Sequence, residues 1–308
     1  MALFITLGLA ACGGGNEQEA TGGGSDVSGD VLIDGSSTVQ PLTAAAGELF
    51  AEEAPAVNVS VGTSGTGGGF EVFCQGETDI SNASRPIKDE EAAVCEENGI
   101  EFTELQVATD ALTVVTSKDN DFITCLTTEE LATMWRPDAE GEVTTWDQVN
   151  PEFPAEEIEL YGPGTDSGTF DYFTGEINGE EGVSRTDYNA SEDDNVIVQG
   201  VSGSPNALGY FGYTYFEENA DALKAIEIDS GDGCVTPSAE AAQDGTYTPL
   251  ARPLFIYVSN KAAADKPQVA AFVDFYAKND ADIAEAAQFI SLSEEQRSEL
   301  ESAAGSIG

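Results

Sequence analysis

The sequence predicts an α/β protein with mainly parallel sheets. Short apolar or alternating stretches that read as strands are followed, along most of the chain, by segments with apolar residues at helical spacing. Several of these junctions carry Gly-, Ser- and Thr-rich turns. A length of 308 residues suits two domains of roughly 150 residues each and is ample for a buried core.

Val31-Leu32-Ile33 is a short apolar run ending in Asp34-Gly35, and it reads as a buried strand. Over 41–53, Leu42, Ala45, Ala46, Leu49 and Phe50 recur at helical spacing. Val57, Val59 and Val61 alternate with polar residues, the period of a strand. Residues 62–69 read as a glycine-rich turn, with the next helix opening at Phe70. A helix is expected over 89–95 and a strand over 111–116. Ile158 and Leu160 flank Glu159 in another alternating strand, and residues 170–173 open a further helix. Residues 254–258 (LFIYV) form a central apolar strand. Residues 267–304 are helical, with Val269, Phe272, Val273, Phe275 and Tyr276 facing inward. In such sheets, ligands bind at the carboxyl ends of the strands.

Composition removes whole classes of function. The chain has 57 acidic and 11 basic residues, a net charge of −46, so a nucleic-acid partner is excluded. There is no histidine, which removes Ser-His-Asp and Cys-His catalysis and His-ligated zinc. The acidic residues are spread along the chain. Such a charge opposes compaction at ordinary ionic strength, and molar salt screens it. The expectation is a protein made for a saline medium.

Residues 2–11 are uncharged, mostly apolar and too few to span a bilayer; they fit the core of an export signal. Leu9-Ala10-Ala11-Cys12 resembles a bacterial lipobox, which makes Cys12 the expected lipidation site over residues 1–12. Residues 13–30 are Gly-, Ser- and acid-rich and read as a flexible tether. The place implied is the outer face of a membrane or the periplasm. Four further cysteines, Cys74, Cys95, Cys125 and Cys234, suggest two disulfides in an exported chain. Of three pairings, Cys74–Cys95 with Cys125–Cys234 is favoured because the first closes a short loop. No C-x-x-C is present to favour a metal, and no cofactor is expected.

The chemistry concentrates in three strand–turn–helix junctions. They are Gly35-Ser36-Ser37-Thr38-Val39-Gln40-Pro41, the run from Gly62 through Ser64 and Thr66 to Gly69, and Gly162 through Asp166-Ser167-Gly168-Thr169. Each offers hydroxyls, free amide N–H groups and the positive end of a helix dipole, a ready anion site. Ser and Thr at one such junction are commonly only helix caps; three together point to a tetrahedral oxyanion. None is a P-loop or a G-x-G-x-x-G fingerprint, and no G-x-S-x-G elbow occurs. Arg85, in Asp79-Ile80-Ser81-Asn82-Ala83-Ser84-Arg85-Pro86-Ile87, stands out because arginine is scarce. Its guanidinium fork suits an oxyanion, and the alternative is a surface ion pair.

Together the segments DGSSTVQPLT, VGTSGTGGGF, TDISNASRPI, GPGTDSGTFDYF, ALGYFGYTYF and RPLFIYVSNK resemble the phosphate-binding proteins (PstS family) of Pst-type ABC importers, from about residue 30 to 300. The resemblance implies a type II periplasmic-binding-protein fold, two α/β lobes joined by a hinge and closing on one phosphate. Lobe one would comprise 31–108 and 252–308 and lobe two 109–251, with crossings near Val107–Ala111 and Leu250–Leu254. It implies ligand donors at Ser36, Ser37, Thr38 and Val39, at Ser64 and Thr66, and at Ser167, Gly168 and Thr169. The implied partners are inorganic phosphate and permease subunits, with the membrane reached only through the lipid. Two departures follow. The family has aspartate where Arg85 stands, and an arginine near the position of Pro163. The acceptor of the ligand's proton would then be Asp166 or a backbone carbonyl. The competing readings are a binding protein for another oxyanion such as sulfate or molybdate, a secreted phosphatase, and a structural surface module.

Overall fold

The structure, a computed structural model, describes residues 27–307. The expected export signal, Cys12 and residues 13–26 of the expected tether lie outside the described residues. The chain opens with β1 (Gly29–Gly35), α1 (Gln40–Glu53), β2 (Val57–Val61), α2 (Gly65–Phe73), β3 (Ile80–Ala83) and α3 (Asp89–Glu97). The long β4 (Phe102–Ser117) leads to β5 (Cys125–Thr127), α4 (Thr128–Trp135), α5 (Trp146–Val149), β6 (Glu159–Gly162), α6 (Gly168–Phe173), β7 (Asn189–Ala190) and α7 (Asp194–Ser202). Then come β8 (Ala207–Gly212), α8 (Tyr213–Glu218), β9 (Leu223–Ala225), β10 (Glu227–Asp229), β11 (Cys234–Val235) and α9 (Ala239–Gln243). The chain closes with β12 (Ala251–Ser259), α10 (Asn260–Asp265), α11 (Pro267–Lys278), α12 (Asp280–Ala286) and α13 (Glu294–Ala304).

A main sheet runs β2-β1-β3-β12-β4-β8-β6-β7, with β9 also paired to β4, and β11-β10-β5 form a second small sheet. β4 is the pivot. Its first half pairs with β12, and its second half with β8 and β9. Its residues from Gln106 onward are almost all buried on both faces, as their run of Val, Ala, Leu and Thr requires. The expectation of mainly parallel sheets is corrected here. β1 pairs parallel with β2 and β3, and β6 with β7 and β8, but β12 runs antiparallel to β3 and β4, and β4 antiparallel to β8 and β9. Alternation of strands and helices reports only local units. It does not reveal a strand inserted from the end of the chain.

The apolar side chains gather in two main cores. One joins Val31, Leu42, Phe50 and Leu105 to Ile256, Phe272 and Tyr276. The other joins Leu112, Val114, Trp135 and Trp146 to Phe173, Leu208 and Tyr210, and the Phe173 and Tyr210 rings stack 3.8 Å apart. The inward face expected for 267–304 is the observed one. The cysteines form Cys74–Cys95 and Cys125–Cys234. The first lies in a small aromatic core with Phe70, Phe73 and Tyr257, and the second ties β5 to β11. Among the described residues, no helix is long and apolar enough to cross a membrane.

Candidate anion-binding cleft

The first turn follows β1, whose end is held against β3 by the Ser36 amide donating to the Asn82 carbonyl at 2.9 Å. Gly35 has φ 137°, and any Cβ there would meet the Asn82 carbonyl oxygen at 2.2 Å, so only glycine fits. Pro at the start of α1 sets the helix direction. Val39, the residue before α1, has no side chain able to cap it, and none of the first turn's hydroxyls does so. Ser36, Ser37 and Thr38 line the cleft with their hydroxyls unspent on capping. That observation separates a binding turn from a merely structural one. Val39 itself is fully buried and offers only its backbone.

The second turn is shorter than expected, because α2 opens at Gly65 rather than at Phe70. Phe70 and Phe73 anchor the helix in the core, and its glycines let it approach β1: a Cβ on Gly69 would lie 2.5 Å from the Gly35 Cα. Tertiary packing thus overrides the poor helix propensity of glycine. Asp34 Oδ1 joins the first two turns by accepting from the amides of Gly35 (2.7 Å) and Ser64 (3.0 Å). Gly65, Thr66 and Gly67 line the cleft, with the Thr66 hydroxyl 3.0 Å from that of Ser84. The Ser64 side chain instead lies over Gly68 and is not part of the cleft wall.

From the other side comes the third turn. Ser167 caps α6, its hydroxyl accepting from the Thr169 amide at 3.2 Å. Gly168 lines the cleft and touches Thr38, whereas Thr169 lines an adjoining cavity of about 200 Å³ behind it. Asp166 is exposed, its amide donating to Glu192 at 3.4 Å, and it does not reach the cleft.

The cleft, about 660 Å³, is bounded by both groups of turns and by the start of β12. Two arginines line it. Arg85 forks onto Glu91, with Nη1 to Oε2 at 2.8 Å and Nη2 to Oε1 at 2.7 Å. That hydrogen-bonded pair raises the Arg85 pKa. Burial opposes ionisation of Glu91, but the bonds from Arg85 and the Lys88 amide outweigh it and lower its pKa. Sequence reasoning passed over the second, Arg252. Its guanidinium lies 3.7 Å from the centre of the Tyr172 ring. Nε donates to Asp110 at 3.2 Å, and Nη2 to the Thr38 hydroxyl at 3.1 Å. The signals available were the scarcity of arginine and its place at the head of RPLFIYVSNK. Three carboxylates, Asp171, Glu176 and Glu181, share the wall. Burial raises the pKa of Asp171 and Glu176, their proximity to Glu181 adds to it, and Arg252 opposes it.

Neutral donors, helix N-termini and an arginine facing one cavity define a binding protein for a small anion. A family model described as a PBP superfamily domain matches residues 17–280. SphX of Synechocystis is 47% identical over 295 residues, covering 96% of this chain and 84% of its own. The phosphate-binding protein PstS of Staphylococcus saprophyticus is 41% identical over 302 residues, covering 98% and 91%. The crystal structure of a possible phosphate binding protein from Planctomyces limnophilus superposes with a TM-score of 0.85 at 44% identity, covering 91% of this chain and 98% of that one. The chain belongs to the PBP superfamily and, within it, to the family of PstS and SphX.

Proposed function

We propose that the protein is an extracytoplasmic solute-binding protein that captures inorganic phosphate between two lobes and hands it to the permease subunits of an ABC importer. The observation that carries this is the meeting of Ser36, Ser37 and Thr38, whose hydroxyls cap no helix, with Gly168 across one cleft. The relatives named for phosphate binding support the choice of anion. The ligand set comprises those first-turn hydroxyls, the amides running into α1 at Val39, Thr66, and the Gly168 amide at the start of α6. Ser167 and Thr169 hold the third turn in shape, and Ser64 and Asp166 stand outside the set. Arg85 contributes charge to the wall but reaches the ligand only by leaving Glu91. No bond is made or broken, so the protein works as a binder and not as an enzyme.

Lobe one is 31–108 with 252–308, and lobe two is 109–251. Two separate main cores support this division; the long strand β4 runs through it, and β12 begins at it. Closure about those strands is hinge-type capture. A lipid on Cys12 and the tether over 13–30 would hold the protein at the outer face of the membrane.

Titration calorimetry of the purified protein in molar salt, with phosphate and then with sulfate, tests the reading. One-to-one phosphate binding with little sulfate response is expected. Equal binding of both anions would favour a general oxyanion carrier, and binding of neither by folded protein would overturn the reading.

A further inference from the structure

Arg252 stands at the head of β12, directly in register with Asp110 of β4. β4 passes from one half of the molecule to the other, and β12 begins beside its midpoint. The guanidinium reaches Thr38 in the turn between β1 and α1, and stacks on Tyr172 of α6. It therefore touches an element on each side of the cleft. Tyr172 is fixed in turn, its hydroxyl donating to the Pro249 carbonyl at 2.5 Å.

A guanidinium carries five N–H donors in a rigid fork. Asp110 and Thr38 take two of them, and the other three have no partner among the described residues. The Arg85 guanidinium, by contrast, spends three of its donors, on Glu91 and the Pro86 carbonyl, and both its Nη atoms are engaged. Asp110 is 8% exposed at its side chain, and burial raises its pKa while Arg252 opposes that rise. Holding a carboxylate in so dry a place requires the neighbouring cation. The pair fixes the direction of the guanidinium, and Tyr172 fixes its plane.

We propose that Arg252 is the residue that reads the charge of the bound oxyanion. Asp110 and Tyr172 position it, and its contacts with both walls make closure depend on an anion at its free N–H groups. This rests on the phosphate reading above, and it names a charge-reading residue at the start of β12, distant from the third turn in sequence.

The test uses phosphate calorimetry on the full protein, with small-angle scattering to follow compaction on binding. Arg252→Met should weaken phosphate binding roughly 10- to 100-fold, as for a lost charge-assisted hydrogen bond, and abolish the compaction. Arg252→Lys should retain part of the affinity, because the charge survives while the fork does not. Asp110→Asn should weaken binding several-fold by itself and add nothing in the Arg252→Met background, since it acts through the arginine. Arg85→Met should cost less than Arg252→Met. Wild-type affinity in folded Arg252→Met, or an Asp110→Asn effect that persists without the arginine, would overturn the proposal. Failure of the wild-type protein to bind any oxyanion would instead overturn the phosphate reading itself.

Discussion

Gly168 and Thr38 approach so closely that a Cβ on the glycine would lie 2.8 Å from the threonine hydroxyl oxygen. One residue belongs to the third turn and the other to the first, so this contact is where the two sides of the cleft meet. A methyl group there must displace Thr38, whose hydroxyl also accepts from Arg252. Gly168→Ala is therefore expected to wedge the cleft and lower phosphate affinity about 10-fold or more, on the scale of one lost charged hydrogen bond. Gly168 is the first residue of α6, where alanine is well tolerated, so the melting temperature should hardly change. Parallel calorimetry and thermal unfolding check this; an unchanged affinity would place closure elsewhere.

The two disulfides constrain very different loops. Cys74 and Cys95 are 21 residues apart, and Cys125 and Cys234 are 109 apart. In the chain-entropy account, the short loop contributes about 3 kcal/mol and the long one about 5 kcal/mol. Replacing Cys125 and Cys234 together by alanine should thus lower stability more than replacing Cys74 and Cys95. Denaturant titration of the two double variants decides it, and the reverse order would show that native packing around Cys74, which is fully buried, dominates over loop length.

The strands and turns were readable because each depends on neighbours in the chain. An apolar triplet before Asp34-Gly35, valines at every second position from Val57, and hydroxyls after a glycine all report local geometry. The position of β12 was not readable in this way, since its pairing with β3 and β4 joins residues more than a hundred positions apart. Arg252 was missed for the same reason: Asp110 is 142 residues away and Thr38 is 214. Arg85 drew notice because it sits beside a turn, yet its fork partner Glu91, six residues on in the first turn of α3, was equally close in the sequence. A glycine-rich helix at Gly65 contradicts local propensity, and only the packing of Phe70 and Phe73 accounts for it.

The charge of −46 is carried with only 11 basic side chains, and each of the five arginines is paired with a carboxylate. Most of the acidic charge is therefore uncompensated and repels itself. The screening length is about 10 Å at 0.1 M salt and about 3 Å at 1 M. Thermal unfolding in potassium chloride from 0.1 to 2 M should show a melting temperature that rises steeply with salt. A flat response would mean that the charges are spaced widely enough for repulsion to be negligible, and the saline reading would fail.

Asp194 opens α7 and lines the cavity behind the third turn. Burial pushes its carboxyl up from 3.8 to about 6, and the charges of Asp193 and Glu192 add to the rise. In the unfolded chain the group ionises near its ordinary value of 3.8. Between that value and about 6 the folded state holds a proton that the unfolded state has released. Stability is therefore lost as pH rises through this window, and the loss is complete above it. Asp194→Asn removes the ionisation. It should stabilise the protein at pH 8 by about 1 kcal/mol after allowing for solvent screening, equivalent to about 2 °C in melting temperature. The same substitution should have little effect at pH 4, where the loss has barely begun. Melting curves of both proteins across pH 4 to 8 give the answer, and a constant difference at every pH would show that the effect comes from packing and not from charge.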